Sequence, residues 1–145
     1  MKKLIILFLT FVYSFALTPY SLENIKEVNL KFLNKKENIS KKLEEKITKK
    51  VKEELEKLGI KTNTQNYSNF IIKAKIVKIA DKQFVQTSIM IVEDIKPVRD
   101  ESLLTIAITY KKDDSFIAEN LEVDIYESIV DYLLEDFIEQ YKAEN

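Results

Sequence analysis

Residues 70–92 read FIIKAKIVKIADKQFVQTSIMIV. Apolar and polar side chains alternate through this stretch with one short break. Phe70, Ile72, Ala74 and Ile76 share one face of an extended chain, and Lys73 and Lys75 share the other. Successive side chains of a strand point to opposite faces, so the pattern reads as a half-buried strand. Val77 and Ile79 then switch phase, which predicts a bulge or a change of cover. Ala80-Asp81-Lys82-Gln83 has the composition of a tight turn. Phe84 to Val92 resumes the alternation, with Val85, Thr87, Ile89 and Ile91 opposite Gln86, Ser88, Met90 and Val92. Two strands joined by so short a link pair antiparallel.

On the C-terminal side, Leu103 to Tyr110 reads as a further strand, with Leu104, Ile106, Ile108 and Tyr110 on one face and Leu103, Thr105, Ala107 and Thr109 on the other. Lys111-Lys112-Asp113-Asp114-Ser115 reads as a charged turn, and Phe116 to Ala118 as a brief closing strand. From about Leu121 to Tyr141 the period changes to that of a helix. Tyr126, Ile129, Val130, Leu133, Leu134, Phe137, Ile138 and Tyr141 form a broad apolar face. Asn120 is placed to cap it, and Glu122, Asp124 and Glu127 suit its positive N-terminal end.

On the N-terminal side, Asn63 to Asn69 is an amide-rich loop, preceded by a short strand at Ile60 to Thr62. Ser40 to Leu58 is a helix whose apolar residues Leu43, Ile47, Val51 and Leu55 recur at every fourth position. That stripe winds around the helix and suits a crossing over a twisted surface. Asn38 or Ser40 serves as its N-cap. Gly59, the single glycine of the chain, falls where the helix must stop, with Ile60 placed to touch Leu55 as in a Schellman ending. Glu27 to Leu33 is a half-buried strand with Val28, Leu30 and Phe32 on one face. The predicted architecture is α+β: an antiparallel sheet of about four to five strands with two helices on one face, in the order β-α-β-β-β-β-α. In outline alone it resembles several small envelope-assembly and secretion accessory domains, an analogy of fold that gives no function.

The first residues have a different character. Lys2 and Lys3 precede an apolar run from Leu4 to Val12, and Ser14-Phe15-Ala16 puts small residues at the positions a signal peptidase requires. Residues 1–16 are therefore expected to be a cleaved export signal, with residues 17–145 as a single domain. A retained anchor is the alternative, although the run is shorter than the ~20 residues that span a bilayer. No cysteine follows to accept a lipid. The expected location is periplasmic or secreted, with no stable membrane span after cleavage.

Of 145 residues, 46% are hydrophobic and 32% charged, which suits one globular domain. Lys31 to Lys78 holds fourteen lysines against six acids, and Glu119 to Asn145 nine acids against one lysine. These blocks give the molecule a basic and an acidic side, or they face each other and compensate. The near-neutral total gives no drive toward nucleic acid.

The chemical inventory is thin. Histidine and cysteine are absent, which removes Ser-His-Asp and Cys-His catalysis and the usual ligands of zinc and copper. One glycine cannot build a phosphate-cradling loop. Glu127, Asp131 and Glu135 line one helix side, where they form a weak cation site or a solvated face. No catalytic residue and no cofactor are expected. The segment Glu93 to Glu101 stands out instead. It is longer than a hairpin needs and holds Pro97 and Arg99, the single arginine among 22 lysines. A guanidinium there suits a planar, bidentate contact with a partner's carboxylate, or an intraloop pair with Asp94, Asp100 or Glu101. Pro97, Arg99 and Asp100 are thus the candidate partner contact.

Tyr110, Tyr126, Tyr132, Phe137 and Tyr141 line an apolar pocket or fill a packed core. Thr87, Ile89, Leu103, Thr105 and Val77 are expected to form a patch on the uncovered sheet face, or an edge strand is expected to accept a partner strand. The reading that follows is an exported accessory protein without catalytic activity that binds an envelope protein partner. A carrier of an apolar small ligand such as a lipid, held beneath the first helix, is the alternative.

Overall fold

The computed structural model describes residues 21–33, 39–62 and 68–145. The expected export signal, Asn38 and most of the amide-rich loop lie outside the described residues. The elements are β1 (Glu27–Leu33), α1 (Lys41–Lys57), β2 (Lys61–Thr62), β3 (Asn69–Ile79), β4 (Lys82–Ile95) and β5 (Thr105–Ala118). A helical run then passes through α2 (Leu121–Tyr126), a π-helical turn (Glu127–Leu133) and α3 (Leu134–Glu144). The class is α+β, as expected.

The sheet is mixed, which corrects the expectation of an antiparallel one. Its order is β2-β1-β3-β4-β5, with β1 parallel to both β2 and β3. The reason lies in the connection. A strand can return parallel only through a crossover, and α1 provides one between β1 and β2. The later strands are antiparallel: β3 pairs with β4 from Asn69↔Val92 to Ile79↔Lys82, and β4 pairs with β5.

Helix α1 is bounded by local chemistry. Ser40 Oγ accepts a hydrogen bond from the Leu43 amide at 3.2 Å. At the other end Gly59 has φ +81°, its amide donates to Glu56 O at 3.0 Å, and the Ile60 amide donates to Leu55 O at 2.9 Å. This is the Schellman ending read from the sequence. Leu43, Ile47, Val51 and Leu55 are all buried, so the winding stripe is seated.

The β3–β4 register is unbroken, so the switch of phase at Val77 is not a bulge. Val77 and Ile79 keep the alternation and lie on the uncovered face. Lys78 takes the position that faces the helical layer and is exposed, because both strands run on past the helices. Ala80, at φ 55°, makes the two-residue turn with Asp81.

Strand β5 runs through the expected charged turn without a break. A strand can hold four charged residues here because each has a partner. Lys111 meets Asp113 at 2.6 Å and Lys112 meets Asp136 at 2.8 Å. Asp113 accepts from Ser88 Oγ at 2.6 Å, and Asp114 accepts from Ser128 Oγ at 2.7 Å. Burial raises the Asp113 carboxyl's pKa, but the bonds from Lys111 and Ser88 outweigh it and leave a net lowering. Lys112 is raised by its bond to Asp136.

The core lies between the sheet and one helical layer, made of α1 and the C-terminal run. Phe137 is its hub, edge-on to Phe70 at 5.2 Å and to Tyr110 at 5.3 Å, with Tyr141 stacked at 6.1 Å. The aromatic residues therefore pack against each other. Tyr126 instead lies under the Lys46 ammonium at 3.8 Å, and Tyr132 is half exposed. The end of α3 clasps the segment before β1: Tyr141 Oη donates to Ile25 O at 2.9 Å, and Asn145 Nδ2 donates to Leu22 O at 3.0 Å. Phe137→Ala is expected to destabilise the fold by about 3–5 kcal/mol, because it removes a fully buried ring shared by three others. Urea denaturation followed by far-UV circular dichroism measures it; a loss below about 1 kcal/mol refutes the role of hub.

Candidate functional site

The connection between β4 and β5, residues 96–104, carries the three residues singled out in the sequence. It continues past the end of β3, because β4 residues 93–95 pair with β5 alone. The tip is internally braced. The Asp100 amide donates to Pro97 O at 3.0 Å, and the Leu103 amide donates to Asp100 O at 3.3 Å. Asp100 Oδ1 accepts from the Ser102 hydroxyl at 2.6 Å and from the Ser102 amide at 3.0 Å. Those two bonds hold the Asp100 carboxyl below its ordinary 3.8.

Pro97 and Asp100 therefore shape the tip, and Asp100 is turned toward Ser102. Arg99 is exposed and forms no ion pair among the described residues. The expected intraloop pair with Asp94, Asp100 or Glu101 is thus not made, and the guanidinium faces solvent.

Around these residues lies an apolar surface that the sequence reading placed elsewhere. Val98 is 97% exposed, Ile106 71% and Leu104 66%, with Leu103 and Ile108 also exposed. The alternation had put Ile106 and Ile108 on the face of buried Tyr110. A β-bulge separates them: Ile91 pairs with Tyr110 but Val92 with Ile108, so Thr109 is an extra residue in β5. One extra residue turns all that precedes it to the opposite face. The bulge is tied down by Glu93, which accepts from Thr109 Oγ1 and from Ser68 Oγ, both at 2.5 Å.

The patch expected on the uncovered face is corrected in part, because Thr87 pairs with Ala74 and Ile89 with Ile72 in rows that face the helices. Thr87 and Ile89 are fully buried under the helical layer, while Val77, Leu103 and Thr105 are exposed. Register assigns the uncovered face to rows that cross β3, β4 and β5. The row Val77, Phe84 and Ile117 is apolar; Lys75, Gln86 and Ser115 are polar, as are Lys73, Ser88 and Asp113.

A recess of about 580 Å³ runs between β5 and the π-helical turn, beside Asp114, Ser128, Asp131 and Tyr132. Ser128 Oγ directs its single proton to Asp114, so it accepts from Thr87 Oγ1 at 2.6 Å. The bonds join β4, β5 and the π-helical turn, where three consecutive residues, Ser128 to Val130, are buried. Glu127, Asp131 and Glu135 form no metal-binding group, nor does any other set of three acids among the described residues. Beneath α1, Leu43, Ile47, Val51 and Leu55 are packed into the core, and a recess of about 470 Å³ lies beside the helix between Leu43, Lys46, Val123 and Tyr126.

No protein-family model and no curated protein matches the chain. A solved structure of a minor lipoprotein from Acinetobacter baumannii is similar at 13% identity, with a TM-score of 0.34 over 83% of this chain and 93% of that one. A likeness of that degree bears on neither mechanism nor partner. No helix among the described residues is long and apolar enough to cross a membrane.

Two outcomes follow from this geometry. In an NMR pH titration Asp100 is expected to have its midpoint below 3.8, so the tip's bonds are present above that midpoint and lost as pH falls through it. Ser102→Ala should move the midpoint upward; an unchanged midpoint shows that the brace is absent. Ser128→Ala should destabilise the protein by about 1–3 kcal/mol in urea unfolding, because it strips a partner from buried Thr87 and from Asp114. Stability equal to the parent's refutes that link.

Proposed function

We propose that this protein is an exported, non-catalytic accessory protein of the cell envelope that holds a protein partner through the tip of the β4–β5 hairpin. The observation that carries the reading is the braced loop with Val98, Leu103, Leu104 and Ile106 turned to solvent. A contiguous exposed apolar surface is the usual mark of a contact site. The fixed loop reduces the ordering cost of binding. Arg99 stands beside this surface with its guanidinium unengaged, ready to pair with a carboxylate at the rim of the contact. The absence of histidine and cysteine supports a role without catalysis. The lysine-led apolar run of residues 1–16 supports export.

Affinity purification from the native envelope tests the reading. A tagged parent protein is expected to retain a stoichiometric partner that the Leu104→Glu/Ile106→Lys variant loses by at least about tenfold, with unchanged circular dichroism. Arg99→Lys should weaken the same partner, because a lysine cannot make the bidentate contact. Equal capture by parent and double variant, or no partner above an untagged control, refutes the site.

A further inference from the structure

At the opposite end of the uncovered sheet face, the β3–β4 hairpin carries a second apolar surface with a different electrical setting. Val77, Phe84 and Ile117 stand in one row across three strands. Ile79, 57% exposed, lies one row nearer the turn beside Lys82. A shallow groove of about 580 Å³ follows the row and is bordered by Lys75 and Gln86. Lys73 stands one row further back, and Lys78 projects from the other side of the same hairpin. All four lysines are exposed, and none of them forms an ion pair with another described residue. Asp81 in the turn is the single acid among residues 69–84.

We infer that this hairpin docks the protein onto an anionic bilayer surface, with Ile79, Phe84, Val77 and Ile117 entering the headgroup boundary and Lys75, Lys78 and Lys82 meeting lipid phosphates. The argument is charge complementarity combined with shape. Ile79 and Lys82 form the row next to the turn, and Val77, Phe84 and Ile117 form the exposed row behind it. Lys82 stands beside Ile79, Lys75 stands one row behind Val77, and Lys78 projects from the other face of the same hairpin, while the acids Glu119 and Asp124 lie on the far side of Ile117. Apolar insertion and lysine–anion attraction each bind weakly alone and add when they act at one surface. The tip at the other end has the opposite balance: Glu93, Asp94, Asp100 and Glu101 outnumber Lys96 and Arg99. It is therefore ill suited to the same lipid surface. The inference stands independently of the partner proposed for that tip.

Cosedimentation with vesicles decides it. The protein as recovered from export is mixed with vesicles of phosphatidylcholine alone, or of phosphatidylcholine and phosphatidylglycerol in equal parts. Binding is expected to the mixed vesicles, to fall steeply between 0.05 and ~0.5 M NaCl as the Debye length shortens, and to be weak on phosphatidylcholine. Lys78→Gln/Lys82→Gln should lower the partition coefficient about 25-fold, at roughly fivefold per lysine. Ile79→Ser/Phe84→Ser should lower it by at least about tenfold. The lysine variant changes only exposed side chains and keeps the test valid if the apolar variant folds poorly. Leu104→Glu, at the other end, should leave vesicle binding unchanged.

No sedimentation with mixed vesicles overturns the proposal. So does sedimentation that neither hairpin variant reduces. Concentration-dependent self-association abolished by the hairpin variants, without vesicle binding, also overturns it and assigns the face to a second copy of the chain.

Discussion

The ring of Phe137 touches Phe70 on β3 and Tyr110 on β5, two strands that are not neighbours. Strand β4 lies between them, so one side chain of the C-terminal run reaches across three strands. That contact commits the run to a single face of the sheet. Helix α1 lies against β1, β2 and the same C-terminal run. The chain has no further helix among the described residues, and the opposite face is left without one. The protein's exposed apolar surface follows from this one-sided cover.

Within that frame, a single inserted residue decides what the uncovered face displays. Without the bulge at Thr109, Ile106 and Ile108 would continue the row of Tyr110 and point to the helical side. With it they join Val92 and Asp94 on the open side. A bulge held only by packing would be free to slip, since register is weakly specified where a strand has no buried face. Glu93 removes that freedom by accepting hydroxyl bonds from Thr109 on β5 and from Ser68 ahead of β3. The orientation of the β4–β5 tip is thus set by a polar clamp and not by the core.

What was legible in the sequence was local. The ends of α1 could be read because Ser40 and Gly59 act on backbone groups within a few residues. The β3–β4 hairpin could be read because its turn is two residues long. The parallel pairing of β1 was not legible, since it depends on where α1 delivers the chain. Nor was the continuity of β5 through its charged stretch: Lys112 needs Asp136, Asp113 needs Ser88 and Asp114 needs Ser128, none of them near in sequence. At the site, the length of the 96–104 loop and its arginine marked the place. Its apolar neighbours were assigned to the wrong face because a bulge leaves no mark on a pattern of alternation. The π-helical turn was equally hidden, since the apolar face that it widens reads as an ordinary helical one.

The uncovered face also shows how a long open sheet stays useful without becoming sticky throughout. Most of its apolar residues lie toward the two ends, with Leu33 of β1 beside Lys73 as an exception, and the rows between them on β3, β4 and β5 carry Lys73, Lys75, Gln86, Ser88, Asp113 and Ser115. An unbroken apolar stripe would favour stacking of one sheet on another, whereas charged rows in its middle would have to be desolvated to allow it. The edges are treated alike. Strand β2 is two residues long, and β5 presents Lys111, Lys112, Asp113 and Asp114 at its centre, the kind of charged edge that discourages strand addition. A face divided in this way behaves as two small contact areas held at a fixed separation by a rigid sheet. Those two areas are the tip proposed to hold a partner and the hairpin proposed to meet a bilayer, and the polar rows keep them apart.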